Sequence, residues 1–102
     1  MEAKAHAGPR IELQRGDDRV VMPIVLRETL IGRIDSNHVV LEHPSISRIH
    51  ARMLLDERSR VEIEDCGSTL GTQVNGELID RATLKHGDVV KLGAISFVFL
   101  QD

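Results

Sequence analysis

A single cysteine, Cys66, stands in this chain of 102 residues. One thiol cannot close an internal disulfide, so a stapled secreted scaffold is excluded and a reducing, intracellular setting is the simpler reading. Long hydrophobic runs are missing too: no stretch approaches the ~20 apolar residues that a membrane-spanning helix needs. The opening MEAKAHAGPR lacks the apolar centre of a signal peptide. A cytoplasmic protein without a membrane partner is the expectation. Nor is positive charge in excess. Thirteen Lys and Arg against sixteen Asp and Glu give a formal net charge of -3, so the broadly basic surface that binds nucleic acid is absent. A local basic pocket is compatible with that total.

Helical periodicity is the next absence, since no window of helical length carries an apolar stripe. Short β-like runs separated by turn residues take its place: Ile11 to Gln14, Val20 to Leu26, Thr29 to Ile34, Val39 to Leu41, Ile49 to Leu55, Val61 to Glu64, Val89 to Leu92 and Ile95 to Leu100. Val61 and Ile63 alternate with Glu62 and Glu64, the period of a strand with one wet face. Ile95, Phe97 and Phe99 share a face by the same rule. Asn75-Gly76 accepts the positive φ angles of a type I′ turn and marks a hairpin. The pattern predicts an all-β sandwich or barrel. Residues 1–9, ending in Gly8-Pro9, read as a flexible lead-in, and residues 10–102 as one domain, a size at which one core folds unaided.

Catalytic signatures are lacking. Cys66 lies in EDCGST with no base beside it in sequence, no G-x-S-x-G elbow surrounds any serine, and Gly67 to Thr72 has no P-loop lysine. His38, His43 and His50 are loosely spaced and have no second thiol to complete a zinc set. Asp35-Ser36-Asn37 lacks the glycine and the terminal ligand of a calcium loop. Neither an enzyme nor a cofactor or metal is expected. A sandwich of this kind leaves function to its loops, and three are polar and well punctuated: Gly32 to His38, Glu42 to Arg48, and Asp65 to Asn75.

Those loops contain, in order, Gly32-Arg33, then Ser47-Arg48-Ile49-His50, then Gly67-Ser68-Thr69-Leu70-Gly71-Thr72 with Val74-Asn75-Gly76. In this arrangement the sequence resembles the forkhead-associated (FHA) domain family, whose pattern runs G-R, S-x-x-H, G-S-x-N-G-T, N-G. Leu84 to Gly93 is similar to the family's L-x-x-G-D-x-I-x-x-G element. The resemblance spans about residues 11 to 101 and implies an FHA-type β-sandwich of two antiparallel sheets with a loop-borne site. It implies a monomeric phosphothreonine-peptide-binding module in Ser/Thr kinase signalling. Arg33 and Ser47 would contact the phosphate, with Arg48 and Thr69 beside them. Gly32, His50, Gly71, Asn75 and Gly76 would be architectural, His50 and Asn75 tying the binding loops together.

The chemistry agrees with that implication. A phosphorylated side chain brings nearly two negative charges and three acceptor oxygens. An arginine offers a planar fork, a serine or threonine a hydroxyl, and a polar loop its N–H groups. Leu70 departs from the pattern, for it stands where the family has an asparagine that bonds the peptide backbone. A leucine neither donates nor accepts, so peptide affinity is expected to fall while phosphate capture survives. The same departure suggests the alternative, an FHA-like domain with a phospho-independent scaffold or oligomerisation role.

Overall fold

A computed structural model describes residues 8–102. The lead-in expected at 1–9 lies outside the described residues except for Gly8 and Pro9, and the Pro9 carbonyl accepts the Ile24 N–H at 2.9 Å. Among the described residues all regular structure is strand: β1 (Arg10–Arg15), β2 (Asp18–Pro23), β3 (Glu28–Gly32), β4 (Val39–Val40), β5 (Ala51–Leu55), β6 (Val61–Asp65), β7 (Thr72–Val74), β8 (Glu77–Ile79), β9 (Arg81–Thr83), β10 (Val89–Leu92) and β11 (Ile95–Leu100). No helix among them is long and apolar enough to cross a membrane.

The strands form two sheets. One runs β2-β1-β11-β10-β7-β8, the other β4-β3-β5-β6-β9. Pairing is antiparallel except between β3 and β4, where Ile31 faces Val39 and Gly32 faces Val40 in a parallel pair. The chain leaves β3 at Gly32, makes an excursion through residues 33–38, and returns alongside itself. That excursion carries Arg33.

Period-two burial builds the core between the sheets. Ile11 and Leu13 of β1, Val90 and Leu92 of β10, and Phe97 and Phe99 of β11 face Ile31, Ala51, Met53, Val61 and Ile63 of the other sheet. The expected alternation of β6 holds: Val61 and Ile63 are fully buried while Glu62 and Glu64 are only partly so. The expected hairpin is also present, with positive φ at Asn75 (51°) and Gly76 (86°) and Val74 facing Glu77.

Several boundaries and one strand differ from the sequence reading. The run Val20 to Leu26 ends as strand at Pro23, which has no N–H to continue the ladder, and Val25 and Leu26 are exposed. The run from Ile49 does not begin as strand until Ala51. β9 carries no sequence signal, being three residues of mixed character, yet it closes the second sheet against β6.

Because Phe99 is wholly buried, Phe99→Ala should lower unfolding free energy by about 3–5 kcal/mol. The measurement is a shift of the urea midpoint at unchanged slope.

Candidate functional site

Arg33 follows β3 directly. Its N–H donates to the Ser47 carbonyl at 3.0 Å and its Nε–H to the Ile46 carbonyl at 2.9 Å. The loop 33–38 is thereby fastened to the loop 41–50 at the residue expected to grip phosphate. The side chain is exposed, and among the described residues its two terminal nitrogens have no hydrogen-bond or ion-pair partner. They form a donor pair aimed at solvent. Arg48 is likewise exposed and has no side-chain partner among the described residues.

Ser47 links this pair of loops to the third. Its Oγ accepts the Thr69 N–H at 3.0 Å, which leaves the hydroxyl hydrogen free to donate. The predicted phosphate contacts Arg33, Ser47, Arg48 and Thr69 therefore lie in segments joined by direct bonds. Leu70, next to Thr69, is 59% exposed.

His50 is 0% exposed and has every polar atom occupied. Its N–H donates to the Ile31 carbonyl and its own carbonyl accepts the Cys66 N–H. Nδ1 accepts the Ser47 N–H at 3.1 Å, so the proton sits on Nε2, which donates to the Gly71 carbonyl at 2.9 Å. His50 thereby bonds to both the Ser47 and the Gly71 segments. Neither ring nitrogen bonds the Ser47 hydroxyl. His50 and Ala51 are both buried, and Ile49 alone of the three faces out at 44%.

Asn75 requires a correction. It does not tie the phosphate-facing loops together. Its Nδ2 donates to Asp88 and its Oδ1 accepts the Val89 N–H, both at 2.9 Å, so it fastens the β7–β8 hairpin to the turn before β10. Asp88 also caps that turn by accepting the Lys85 N–H, which gives the Gly87-Asp88 corner its structural purpose.

A second correction concerns the loop 67–72, from which free backbone donors are expected. Asp65 takes them. Its carboxylate accepts the N–H groups of Gly67 and Ser68 and the hydroxyls of Ser68 and Thr72. The Ser68 hydroxyl oxygen in turn accepts the Gly71 N–H. The Thr69 N–H goes to Ser47, so of the N–H groups of residues 67–71 only that of Leu70 is left, beside the Thr69 side chain, to meet a ligand. Burial pushes the Asp65 carboxyl up, but the four hydrogen bonds outweigh it and hold the group below the usual carboxylate range.

Two other residues escaped the sequence reading. Asn37 is buried, and its Nδ2 donates to the carbonyls of Ile34 and Arg48 at 2.7 and 2.8 Å. It locks the excursion bearing Arg33 against the loop bearing Ser47. Ser45 does similar work: its Oγ accepts the Ala94 N–H at 2.9 Å. The only available signal was their type, a short polar side chain in a loop.

The glycines show how tightly these loops approach. A Cβ on Gly32 would collide with the Arg48 carbonyl and lie 2.7 Å from Asn37 Nδ2, and one on Gly93 would strike Ser45. Arg52 on β5 is bonded to Glu28 and Glu64 at 2.6 Å each. Its charge is neutralised locally. The Cys66 thiol is pushed up by burial, and the nearby Asp65 and Glu64 carboxylates add to that, so no reactive thiolate is favoured. His38 and His43 are spent on local bonds to the N–H groups of Leu30 and Ser45.

Two sheets with polar loops bonded together around exposed donors define a β-sandwich recognition domain. The FHA domain family model matches residues 29–93, and the chain belongs to that family. It is 39% identical over 72 residues to the glycogen accumulation regulator GarA of Mycobacterium tuberculosis, covering 71% of this chain and 44% of that protein. It is 44% identical over 69 residues to the ABC transporter ATP-binding/permease protein Rv1747 of the same species, covering 68% of this chain and 8% of that protein. The chain thus spans less than half the length of these curated relatives. Among solved structures, the FHA domain of the CT664 protein from Chlamydia trachomatis superposes with a TM-score of 0.86 at 28% identity, covering 92% of this chain and 97% of that one. The MEK1 FHA domain, solved in complex with a phosphothreonine peptide of HOP1, gives a TM-score of 0.77 at 32% identity over 95% of this chain and 99% of that one.

Two predictions follow from the loop supports. Asn37→Ala removes two side-chain hydrogen bonds from a buried junction and should cost about 1–3 kcal/mol in chemical denaturation. For Asp65, a depressed folded pKa means stability that is present above the unfolded value and lost as pH falls through the folded one. The unfolding free energy gap between the wild type and Asp65→Asn should therefore be full at pH values above about 4 and shrink below it. Urea melts of both proteins across pH 2–7 check this.

Proposed function

We propose that this domain is a phosphothreonine-peptide-binding module that makes phosphorylation-dependent protein–protein contacts in Ser/Thr kinase signalling. The observation that carries the reading is the Arg33 side chain. Its Nε is anchored on the Ile46 carbonyl while both terminal nitrogens stay unengaged, beside the free hydroxyl hydrogen of Ser47. Arg33 supplies a bidentate fork for two phosphate oxygens, and Ser47 donates to the third. Arg48 adds positive potential, and the Thr69 hydroxyl closes the other side. Gly32, His50 and Gly71 hold these groups in register, with Asn75 and Gly76 shaping the hairpin behind them.

The related structures support this reading. The MEK1 FHA domain was solved with a phosphothreonine peptide, and EmbR of Mycobacterium tuberculosis, similar at a TM-score of 0.80, with a low affinity phosphopeptide. A peptide contact of this kind is small and transient, so modest affinity is expected. Such a module needs no cofactor or metal of its own and works as a monomer in the cytoplasm, where kinases and ATP supply its ligand.

The test is titration with matched threonine and phosphothreonine peptides. The phosphorylated form should bind far more tightly, and added salt should weaken it. Arg33→Ala should remove about 2–5 kcal/mol of that binding, with the melting temperature little changed. Equal binding of the two peptides, or retained affinity in Arg33→Ala, would favour the phospho-independent scaffold role instead.

A further inference from the structure

Asn75 and Gly76, at the exposed tip of the β7–β8 hairpin, carry the two groups of an intramolecular reaction. One is the side-chain amide carbon of Asn75, Cγ, an electrophile. The other is the backbone nitrogen of Gly76. Its N–H has no hydrogen-bond partner among the described residues, and open space surrounds the place where a Cβ on Gly76 would stand. Glycine puts no side chain in the way of attack. A bond forms between the Gly76 nitrogen, which gives up its proton to solvent, and Asn75 Cγ. The Cγ–Nδ2 bond breaks, and Nδ2 leaves as ammonia. Water then opens the cyclic imide at either carbonyl, leaving an aspartyl or isoaspartyl residue at position 75.

The folded domain holds both outer atoms of that amide. Nδ2 donates to Asp88 Oδ1 and Oδ1 accepts the Val89 N–H, each at 2.9 Å. The Asn75 N–H adds a bond to the Val89 carbonyl at 2.8 Å. Ring closure requires the side chain to turn off these partners and back towards its own corner. The reaction therefore waits on local opening of the hairpin from the turn before β10.

The product cannot re-form the clamp. Asp88 Oδ1 now accepts from an amide; afterwards it would meet an anionic oxygen with nothing to donate, and the two charges repel. Asp88 is not free to swing aside, because its Oδ2 accepts the Lys85 N–H at 2.8 Å. An isoaspartyl residue also lengthens the main chain at the corner and disturbs the register of Val74 opposite Glu77. We propose that Asn75 is a deamidation site gated by the fold, and that its conversion is a one-way release of the β7–β8 hairpin from the β10 turn. The domain then loses stability irreversibly with age, at a rate set by how often this clamp opens.

The experiment holds the full chain at mildly alkaline pH and follows aspartate and isoaspartate at position 75 by peptide mapping and mass spectrometry. Asn37, buried and followed by His38, is the internal reference. Reaction at Asn75 should be fast in urea-unfolded protein and slow in the native protein. In native Asp88→Ala it should run about 10-fold faster than in the native wild type, the factor that loss of one charge-assisted bond gives the open population. Asn75→Asp, which copies the product, should lower the urea midpoint. Asn75→Asp combined with Asp88→Asn should recover it, because exchanging the two groups restores a donor to the pair. Equal rates in native and unfolded wild type, or no acceleration in folded Asp88→Ala, would overturn the gate. An unchanged midpoint in Asn75→Asp, or no recovery in the double variant, would overturn the release. Absence of reaction at Asn75 even in urea would overturn both. The native-to-unfolded ratio is read on the wild type alone, so the gate is tested even where a variant folds poorly.

Discussion

The imidazole of His50 sits out of water with both nitrogens bonded, one accepting from the Ser47 backbone and the other donating to the Gly71 carbonyl. Its own backbone adds bonds to Ile31 and Cys66. Four segments of the chain thus meet at one buried residue. An unpaired polar group there would cost far more than a surface bond, so the two loops are held at one spacing. Arg33, Ser47 and Thr69 depend on it, because none is placed by regular structure alone. Arg33 begins where β3 ends, Ser47 lies between β4 and β5, and Thr69 between β6 and β7.

The surrounding supports follow the same logic with different chemistry. Asp65 gathers four donors from the loop that follows it, and Asn37 spends one amide group on two carbonyls. Asn37 Oδ1 is left buried without a partner among the described residues, a cost accepted for closing the gap between loops. Gly32 and Gly93 make that closeness sterically possible. Electrostatically the result is a small cationic rim on a chain whose net charge is negative, with Arg52 taken out of play by Glu28 and Glu64.

Much of this was legible in the sequence. The alternation of Val61 to Glu64, the Ile95-Phe97-Phe99 face and the Asn75-Gly76 turn are local patterns, and local patterns survive into the fold. The order Gly32-Arg33, Ser47-x-x-His50, Gly67 to Thr72 pointed to the loops that meet. What escaped depends on partners distant in the chain. β9 is a strand only because β6 offers it an edge. Arg52 looks solvated until β3 and β6 bring Glu28 and Glu64 beside it. Asp65 reads as a surface carboxylate until the chain curls back over it, and that curl takes up the Gly67 and Ser68 N–H groups that were expected to face a ligand. The roles of Asn37 and Asn75 were set by the neighbours each finds, which residue type does not disclose.

The glycine contacts carry a consequence for how such a domain can change. At Gly32 and Gly93 even one added carbon meets backbone, whereas Arg48, Ile49, Leu70 and Leu78 touch mainly solvent. Tolerance to substitution is thus divided by depth: the girders beneath the rim admit almost nothing, and the surface above them admits nearly any residue at little cost to folding. A lineage, or a designer, can exchange one clientele of ligands for another by altering the upper layer alone, without rebuilding the frame that presents it.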